Sequence, residues 1–165
     1  MESTSQSYWP LLLFIGLIVA AASTGAIFQP GAWYASLDKP SWTPPNWLFG
    51  PAWTVLYACI VAAAWLIWRE TGSLLALPLL FWFGQVVFNA LWSWLFFGVR
   101  LPVLALLDLL LMLACILAFI VSAWSVSRSA ALLFVPYAVW VTFAGSLNFA
   151  IWRLNDWPQA ITTGG

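Results

Sequence analysis

The chain has 165 residues, of which 64% are hydrophobic and 6% are charged, and its formal net charge is zero. A soluble domain usually carries about 25% charged residues, so this composition excludes a soluble globular protein and indicates a protein embedded in lipid. A zero net charge gives no support for nucleic acid as a partner. The absence of histidine removes the commonest general acid–base residue and metal ligand, and we predict neither a metal site nor a cofactor.

Five apolar runs follow one another along the chain, and about 20 such residues suffice to cross a bilayer. We predict membrane-spanning helices at residues 8–28, 48–68, 74–98, 101–124 and 129–152. A helix satisfies its own backbone hydrogen bonds in lipid, and none of the runs alternates as a barrel strand would. The expected fold is an all-α integral membrane protein with one five-helix domain over residues 1–165. Because no Lys or Arg precedes the first run, we predict a retained helix rather than a cleaved signal peptide.

The connection between the first two predicted helices, residues 29–47, differs from the other, shorter ones. A structureless loop of more than about 15 residues is uncommon unless it is functional. Four prolines make this connection stiff, and four aromatic residues give it apolar surface: Pro30, Pro40, Pro44, Pro45, Trp33, Tyr34, Trp42 and Trp47. We predict that it folds back as a lid over the bundle. The alternative is a passive linker.

Polar and small residues within the predicted spans collect in one half of the bilayer. With a rise of about 1.5 Å per residue, the same half, beneath the lid loop, contains Trp53, Asn89, Asp108, Ala144 and Asn148. Two helical faces there combine flat rings with a carboxamide at spacings of three and four. They are Trp82, Gln85, Asn89, Trp92 and Phe96 on the third helix, and Tyr137, Trp140, Ala144 and Asn148 on the fifth. Ligand sites are mostly apolar with a few placed polar groups, so this half is a candidate pocket. Helix–helix packing with interhelical hydrogen bonds is the alternative.

Asp108 is the one ionisable residue deep within a predicted span, and such residues are functional hypotheses by default. No second ionisable group accompanies it at that depth, so we expect a hydrogen bond to a neighbouring helix rather than a proton relay. Cys59 and Cys115 lie in apolar runs, and we interpret them as packing residues.

Four stretches of this sequence resemble the translocator protein family, whose members are also called tryptophan-rich sensory proteins or peripheral-type benzodiazepine receptors. The stretches are WYASLDKPSWTPPNWLFGPAW (33–53), FNALWSWLFFG (88–98), ALLDLLL (105–111) and VPYAVW with LNFAIWRLN (135–155). The resemblance covers the whole chain and identifies it as a bacterial-type member, for which a bacterial cell membrane is expected. It also implies a homodimer of five-helix bundles that binds porphyrins, chiefly protoporphyrin IX, sterols or synthetic drugs.

The resemblance further implies which residues bind ligand. Matching motif positions gives Tyr34, Pro44, Trp53, Tyr57, Asn89, Trp92, Trp140 and Ala144, to which the lid residue Trp42 and the pocket-face residue Asn148 are added. Trp53 and Trp140 match tryptophans linked to light-dependent porphyrin breakdown in some members, so they are candidates for that chemistry. The C-terminal sterol motif corresponds to Leu147, Phe149 and Arg153, with Phe149 where the family has tyrosine. The missing hydroxyl disfavours sterol.

Three hypotheses remain open from the sequence. The first is a membrane receptor or carrier for tetrapyrroles, acting in porphyrin sensing, transport or homeostasis. The second is an enzyme that degrades porphyrin with light and oxygen. The third is a structural protein whose aromatic residues only anchor it in the membrane.

Overall fold

The structure, a computed structural model, describes residues 8–155, so the two ends of the predicted domain lie outside it. It has five long helices: α1 (Trp9–Ile27), α3 (Phe49–Thr71), α4 (Leu77–Ser93), α5 (Pro102–Ala123) and α6 (Arg128–Leu154). A short helix, α2 (Ala32–Ser36), lies in the loop between α1 and α3. All five long helices are long and apolar enough to cross a membrane, and residues 8–155 form no strand. The predicted all-α membrane fold is confirmed.

Local sequence signals explain where the helices begin and end. Pro10, Pro78 and Pro102 each lie in the first turn of a helix. Backbone N–H groups there have no acceptor within the helix, so the absence of an N–H in proline costs no hydrogen bond. Gly72 ends α3 with φ of 64°, a left-handed conformation that glycine adopts without steric cost. Ser127 caps α6 through its side-chain oxygen, which accepts a hydrogen bond from the Ala130 N–H.

The five long helices are arranged in a ring in which α1 packs on α4, α4 on α5, α5 on α6, α6 on α3, and α3 on α1. One half of the ring is solid. There the Trp82 indole N–H donates to the carbonyl oxygen of Ile60 at 3.0 Å, and the rings of Phe119 and Phe134 stack with centroids 3.8 Å apart. The other half, on the side of the 29–47 loop, is hollow.

Two features of the third predicted span differ from the prediction. Its helix, α4, begins at Leu77 rather than residue 74, because the chain turns first and Ser73 Oγ accepts a hydrogen bond from the Leu75 N–H at 3.1 Å. Its far end widens into a π-helical turn at Trp94–Gly98. The following turn reaches α5 through Arg100, which has φ of 59°.

Candidate ligand-binding cavity

A cavity of about 580 Å³ occupies the hollow half of the ring, and all five long helices contribute to its lining. Pockets that bury drug-sized ligands usually measure about 300–1,000 Å³. The predicted site residues that line it are Tyr34, Trp53, Tyr57, Asn89, Trp92, Trp140, Ala144 and Asn148. The structure therefore brings together residues from the loop and from α3, α4 and α6.

Flat aromatic rings form much of the cavity wall. The rings of Trp53 and Trp140 meet edge to face with centroids 6.4 Å apart, and Tyr57 lies beside Trp53 at 5.1 Å. On the opposite wall, Trp92 and Phe96 are stacked at 5.2 Å. Such surfaces present both ring faces and ring edges, which suits stacking against a planar apolar molecule.

A chain of hydrogen bonds runs from the cavity wall into the core. The Tyr57 hydroxyl donates to Asn89 Oδ1 at 3.1 Å, and Asn89 Nδ2 donates to the Tyr137 hydroxyl oxygen at 3.0 Å. The Tyr137 hydroxyl in turn lies 2.9 Å from Gln85 Oε1 and 3.1 Å from Met112 Sδ, so its one proton is donated to either acceptor. These bonds fix the orientation of the Asn89 amide at the cavity wall.

Several buried polar atoms have no hydrogen-bond partner within residues 8–155. Three of them belong to cavity-lining side chains: Trp92 Nε1, Trp140 Nε1 and Asn148 Oδ1. The amide nitrogen of Asn148 is used, because it donates to the Pro102 carbonyl oxygen at 2.9 Å. Buried polar groups are nearly always satisfied in folded proteins. The cavity wall therefore includes two indole donors and one amide acceptor that the described residues leave unpaired, but all three atoms are covered, and a bound molecule would reach them only after neighbouring side chains shift.

The loop over residues 29–47 closes the cavity at its outer end. Tyr34 of α2 is buried against the rings of Phe96 and Phe97, and this burial raises the pKa of its hydroxyl above the ordinary value. The Arg100 guanidinium lies over the ring of Trp33 at 5.6 Å. Lys39 donates to the carbonyl oxygens of Tyr34 and Leu37 at 2.7 Å each, which satisfies the end of α2. These contacts hold the α2 part of the 29–47 lid against the bundle.

Asn155 ties the lid to the end of α6. Its Oδ1 accepts from the Asp38 N–H and its Nδ2 donates to the Asp38 carbonyl oxygen, both at 2.9 Å. Nδ2 also donates to the Ile151 carbonyl oxygen at 2.8 Å. One side chain thus holds the lid backbone to the bundle.

Other predicted residues lie away from this cavity. Trp42 packs on Phe143 with ring centroids 5.7 Å apart, and Pro44 lines a separate recess between lid segments. Of the sterol-motif positions, Leu147 is buried at the cavity wall. Phe149 and Arg153 are exposed instead.

Two further expectations change with the structure. Trp82 and Gln85 lie below the cavity, in the solid half, because the cavity ends at the level of Asn89 and Met112. Asp108 is buried, but its Oδ2 has no hydrogen-bond partner within residues 8–155, so the expected bond from a neighbouring helix does not reach that oxygen.

Sequence reasoning also missed part of the cavity wall. Most of the additional wall residues are apolar or small: Ala21, Ala22, Gly25, Phe28, Phe49, Gly50, Phe97, Leu109, Met112, Val141 and Ile151. Such residue types are common in any membrane helix, so only packing distinguishes them. The polar residues Gln29, Asn46 and Ser93 also line the cavity. Asn155 was missed as well, because its partner Asp38 is far away in the sequence.

Comparison with known proteins agrees with this architecture. Protein CrtK of Rhodobacter capsulatus is 47% identical over 161 residues, which cover 92% of this chain and 98% of that protein. The tryptophan-rich sensory protein of Cereibacter sphaeroides is 40% identical over 154 residues, covering 92% and 96%. The human translocator protein is 41% identical over 126 residues, covering 74% and 75%. The sequence profile of the TspO/MBR family matches residues 13–153. The chain is a multi-pass membrane protein that belongs to the TspO/MBR family.

Proposed function

We propose that this membrane protein binds porphyrins of the protoporphyrin IX type in the lidded cavity and acts in their sensing, transport or homeostasis. The observation that carries the proposal is the flat aromatic lining of a cavity of about 580 Å³, which includes Trp53, Trp140 and Trp92. A porphyrin has a planar apolar ring for the walls. Its carboxylates are acceptors for N–H donors.

The alternative of pure helix packing explains this cavity less well. Packing residues fill space, and interiors seldom keep voids much larger than a water molecule. Here the ring encloses about 580 Å³, and buried polar atoms at its wall have no protein partner. Both features support a site built for a ligand.

Titration with protoporphyrin IX in the dark, followed by tryptophan fluorescence, tests the proposal. We expect saturable quenching in the unmodified protein. Ala144→Phe should weaken it at least about tenfold, because the larger ring occupies space between the aromatic walls. Trp124→Phe is the matched control, since Trp124 is exposed at the opposite end of the bundle and its loss should leave the affinity unchanged. Non-saturable quenching, or equal affinity in the Ala144→Phe protein, would contradict the proposal.

A second function, light-dependent porphyrin degradation, is favoured by one specific observation. Trp53 and Trp140 both line the cavity with ring centroids 6.4 Å apart. An excited porphyrin bound against these two rings would accept an electron from an indole, with molecular oxygen as the final oxidant. Loss of the porphyrin absorbance band under light, abolished in Trp53→Phe and Trp140→Phe proteins, would support it. A rate equal to that in empty detergent micelles would exclude it.

The homodimer remains a prediction.

A further inference from the structure

The cavity wall is not equally buried all the way round. On α4, α5 and α6 its lining includes the buried residues Asn89, Met112 and Val141. On α1 and α3 it includes Gly25 and Gly50, which line the cavity and are exposed as well. The cavity therefore reaches the surface of the bundle between α1 and α3.

Neighbouring contacts show how this gap arises. At its far end, α1 meets α3 through Tyr8, whose ring stacks on Trp65 at 5.9 Å. At its lid end, α1 turns instead to α4. A Cβ placed on Gly25 would lie 3.6 Å from Ser93 Oγ, and one on Gly98 would meet Phe28 at 3.0 Å. Because the lid end of α1 packs on α4, it does not pack on α3. A gap between α1 and α3 results at this end.

Small residues keep the gap clear. A Cβ placed on Gly50, at the start of α3, would meet no atom within 4 Å. Ala22 on α1 is half-buried at the cavity wall. Gln29 and Asn46 line the outer end, where both are exposed. Gly25 is two residues from the end of α1 at Ile27, a rise of about 3 Å, so the gap lies close to the lid-side ends of the helices.

The lid, by contrast, is fastened on the other side of the cavity. Asn155 holds Asp38 through two hydrogen bonds of 2.9 Å, and Tyr34 is buried against the rings of Phe96 and Phe97. Opening the lid requires these contacts to break together, whereas the gap between α1 and α3 is already open. We propose that ligand enters and leaves the cavity sideways, through a portal between α1 and α3 lined by Ala22, Gly25 and Gly50, directly from the lipid leaflet on the lid side.

The portal defines the ligand class more closely and rests on the porphyrin-binding proposal. Its entrance carries amide side chains at the outer end and glycines further in. Consider a molecule at the membrane interface that has its polar groups toward water and its planar ring in the acyl region. Its polar groups would lie beside the amide side chains, and its ring would lie beside the glycines. The portal therefore suits a membrane-partitioned planar amphiphile.

The rim of the portal can be narrowed without altering the cavity lining. Ala26 lies 18 residues after Tyr8, about five helical turns, and Thr54 lies 11 residues before Trp65, about three turns. Ala26 therefore lies on the same face of α1 as Tyr8, and Thr54 lies on the same face of α3 as Trp65. These are the two faces through which α1 and α3 meet at Tyr8 and Trp65. Both are exposed, so a larger side chain there does not disturb the packed core.

The test uses the full chain in phosphatidylcholine nanodiscs, mixed in the dark with phosphatidylcholine vesicles that carry protoporphyrin IX. Stopped-flow tryptophan quenching gives association and dissociation rates for Ala26→Phe, Thr54→Phe and the double variant. Val55→Phe is the control, because Val55 is exposed on α3 but turned about 100° away from Thr54. Asn155→Ala loosens the lid without touching the portal. Equilibrium quenching and thermal unfolding confirm that each variant is folded.

We expect the double variant to slow association and dissociation by about tenfold each, with the dissociation constant changed by less than about threefold. Each single variant should slow both rates less, and Val55→Phe and Asn155→Ala should match the unmodified protein. Unchanged rates in all rim variants, or rates that rise several-fold in Asn155→Ala alone, would overturn the portal and favour entry through the lid. Absence of saturable quenching in the unmodified protein would instead refute porphyrin binding itself, and with it the ligand class assigned to the portal.

Discussion

Replacing Tyr137 with phenylalanine should destabilise the bundle, although it removes a single oxygen atom. That oxygen accepts a hydrogen bond from Asn89 Nδ2 at 3.0 Å and lies 2.9 Å from Gln85 Oε1, to which it can donate. The side chain is fully buried, so no water replaces the lost hydroxyl. The variant leaves a donor and an acceptor unsatisfied in the core.

The two lost bonds set the expected magnitude. Interhelical hydrogen bonds in membrane proteins average about 0.6 kcal/mol each, which gives a lower figure of roughly 1 kcal/mol for the pair. An unsatisfied buried polar group costs about 1–3 kcal/mol, which gives the upper range. We expect a loss of about 1–3 kcal/mol in the free energy of unfolding.

Unfolding in mixed detergent micelles, followed by circular dichroism, measures this loss. Tyr8→Phe is the matched control, because Tyr8 is exposed and its change should be neutral. A double-mutant cycle with Gln85→Leu isolates the bond between Tyr137 and Gln85. If Tyr137→Phe is as stable as the unmodified protein, or if the cycle shows no coupling, the hydrogen-bond chain does not stabilise the fold and our reasoning about it is wrong.

Three further predictions concern the lid and the turn beneath it. Gly98→Ala should lower stability by about 1–3 kcal/mol, because the new Cβ would meet two aromatic side chains at 3.0 Å; thermal unfolding against a Gly16→Ala control, where nothing lies within 4 Å, checks this. Arg100→Gly should be more stable than Arg100→Ala by about 1 kcal/mol, because only glycine adopts φ of 59° freely; equal melting temperatures would argue against strain there. Asn155→Ala should speed hydrogen exchange of lid amides around residue 38 while leaving α5 unchanged, and equal lid exchange would show that Asn155 is not the tie.

The membrane-spanning helices could be predicted because each one is a long apolar run with its own start or stop signal. Pro78 and Pro102 mark first turns and Gly72 marks an end, and these signals act locally. Helix α2 could not be found in the same way. Its five residues are too few to show a helical period, and it is stabilised by contacts with Phe96 and Phe97 that come from another part of the chain.

The candidate site was predictable to the extent that polar groups define it. Asn89 and Asn148 stand out in apolar helices, and their spacing from Trp92 and Trp140 places rings and amides on one face. The apolar part of the wall was not predictable. Apolar residues such as Met112 are equally common at positions that face lipid, so the sequence does not distinguish the two locations. The contact between Asn155 and the lid was not predictable either, because it forms only when the helices assemble and the end of α6 comes close to the loop.

The uneven filling of the helix ring limits how a cargo could cross the membrane. The cavity stops at the level of Met112, and beyond it Trp82, Phe119 and Phe134 are fully buried with their rings in contact with neighbours. Within residues 8–155 the bundle is therefore hollow in its lid-side half and solid in the other half. If ligand enters from the lid-side leaflet as proposed above, it returns to the same leaflet unless the solid half rearranges. Under that proposal the protein exchanges ligand with one side of the bilayer, and delivery across the bilayer would require a partner or a second conformation.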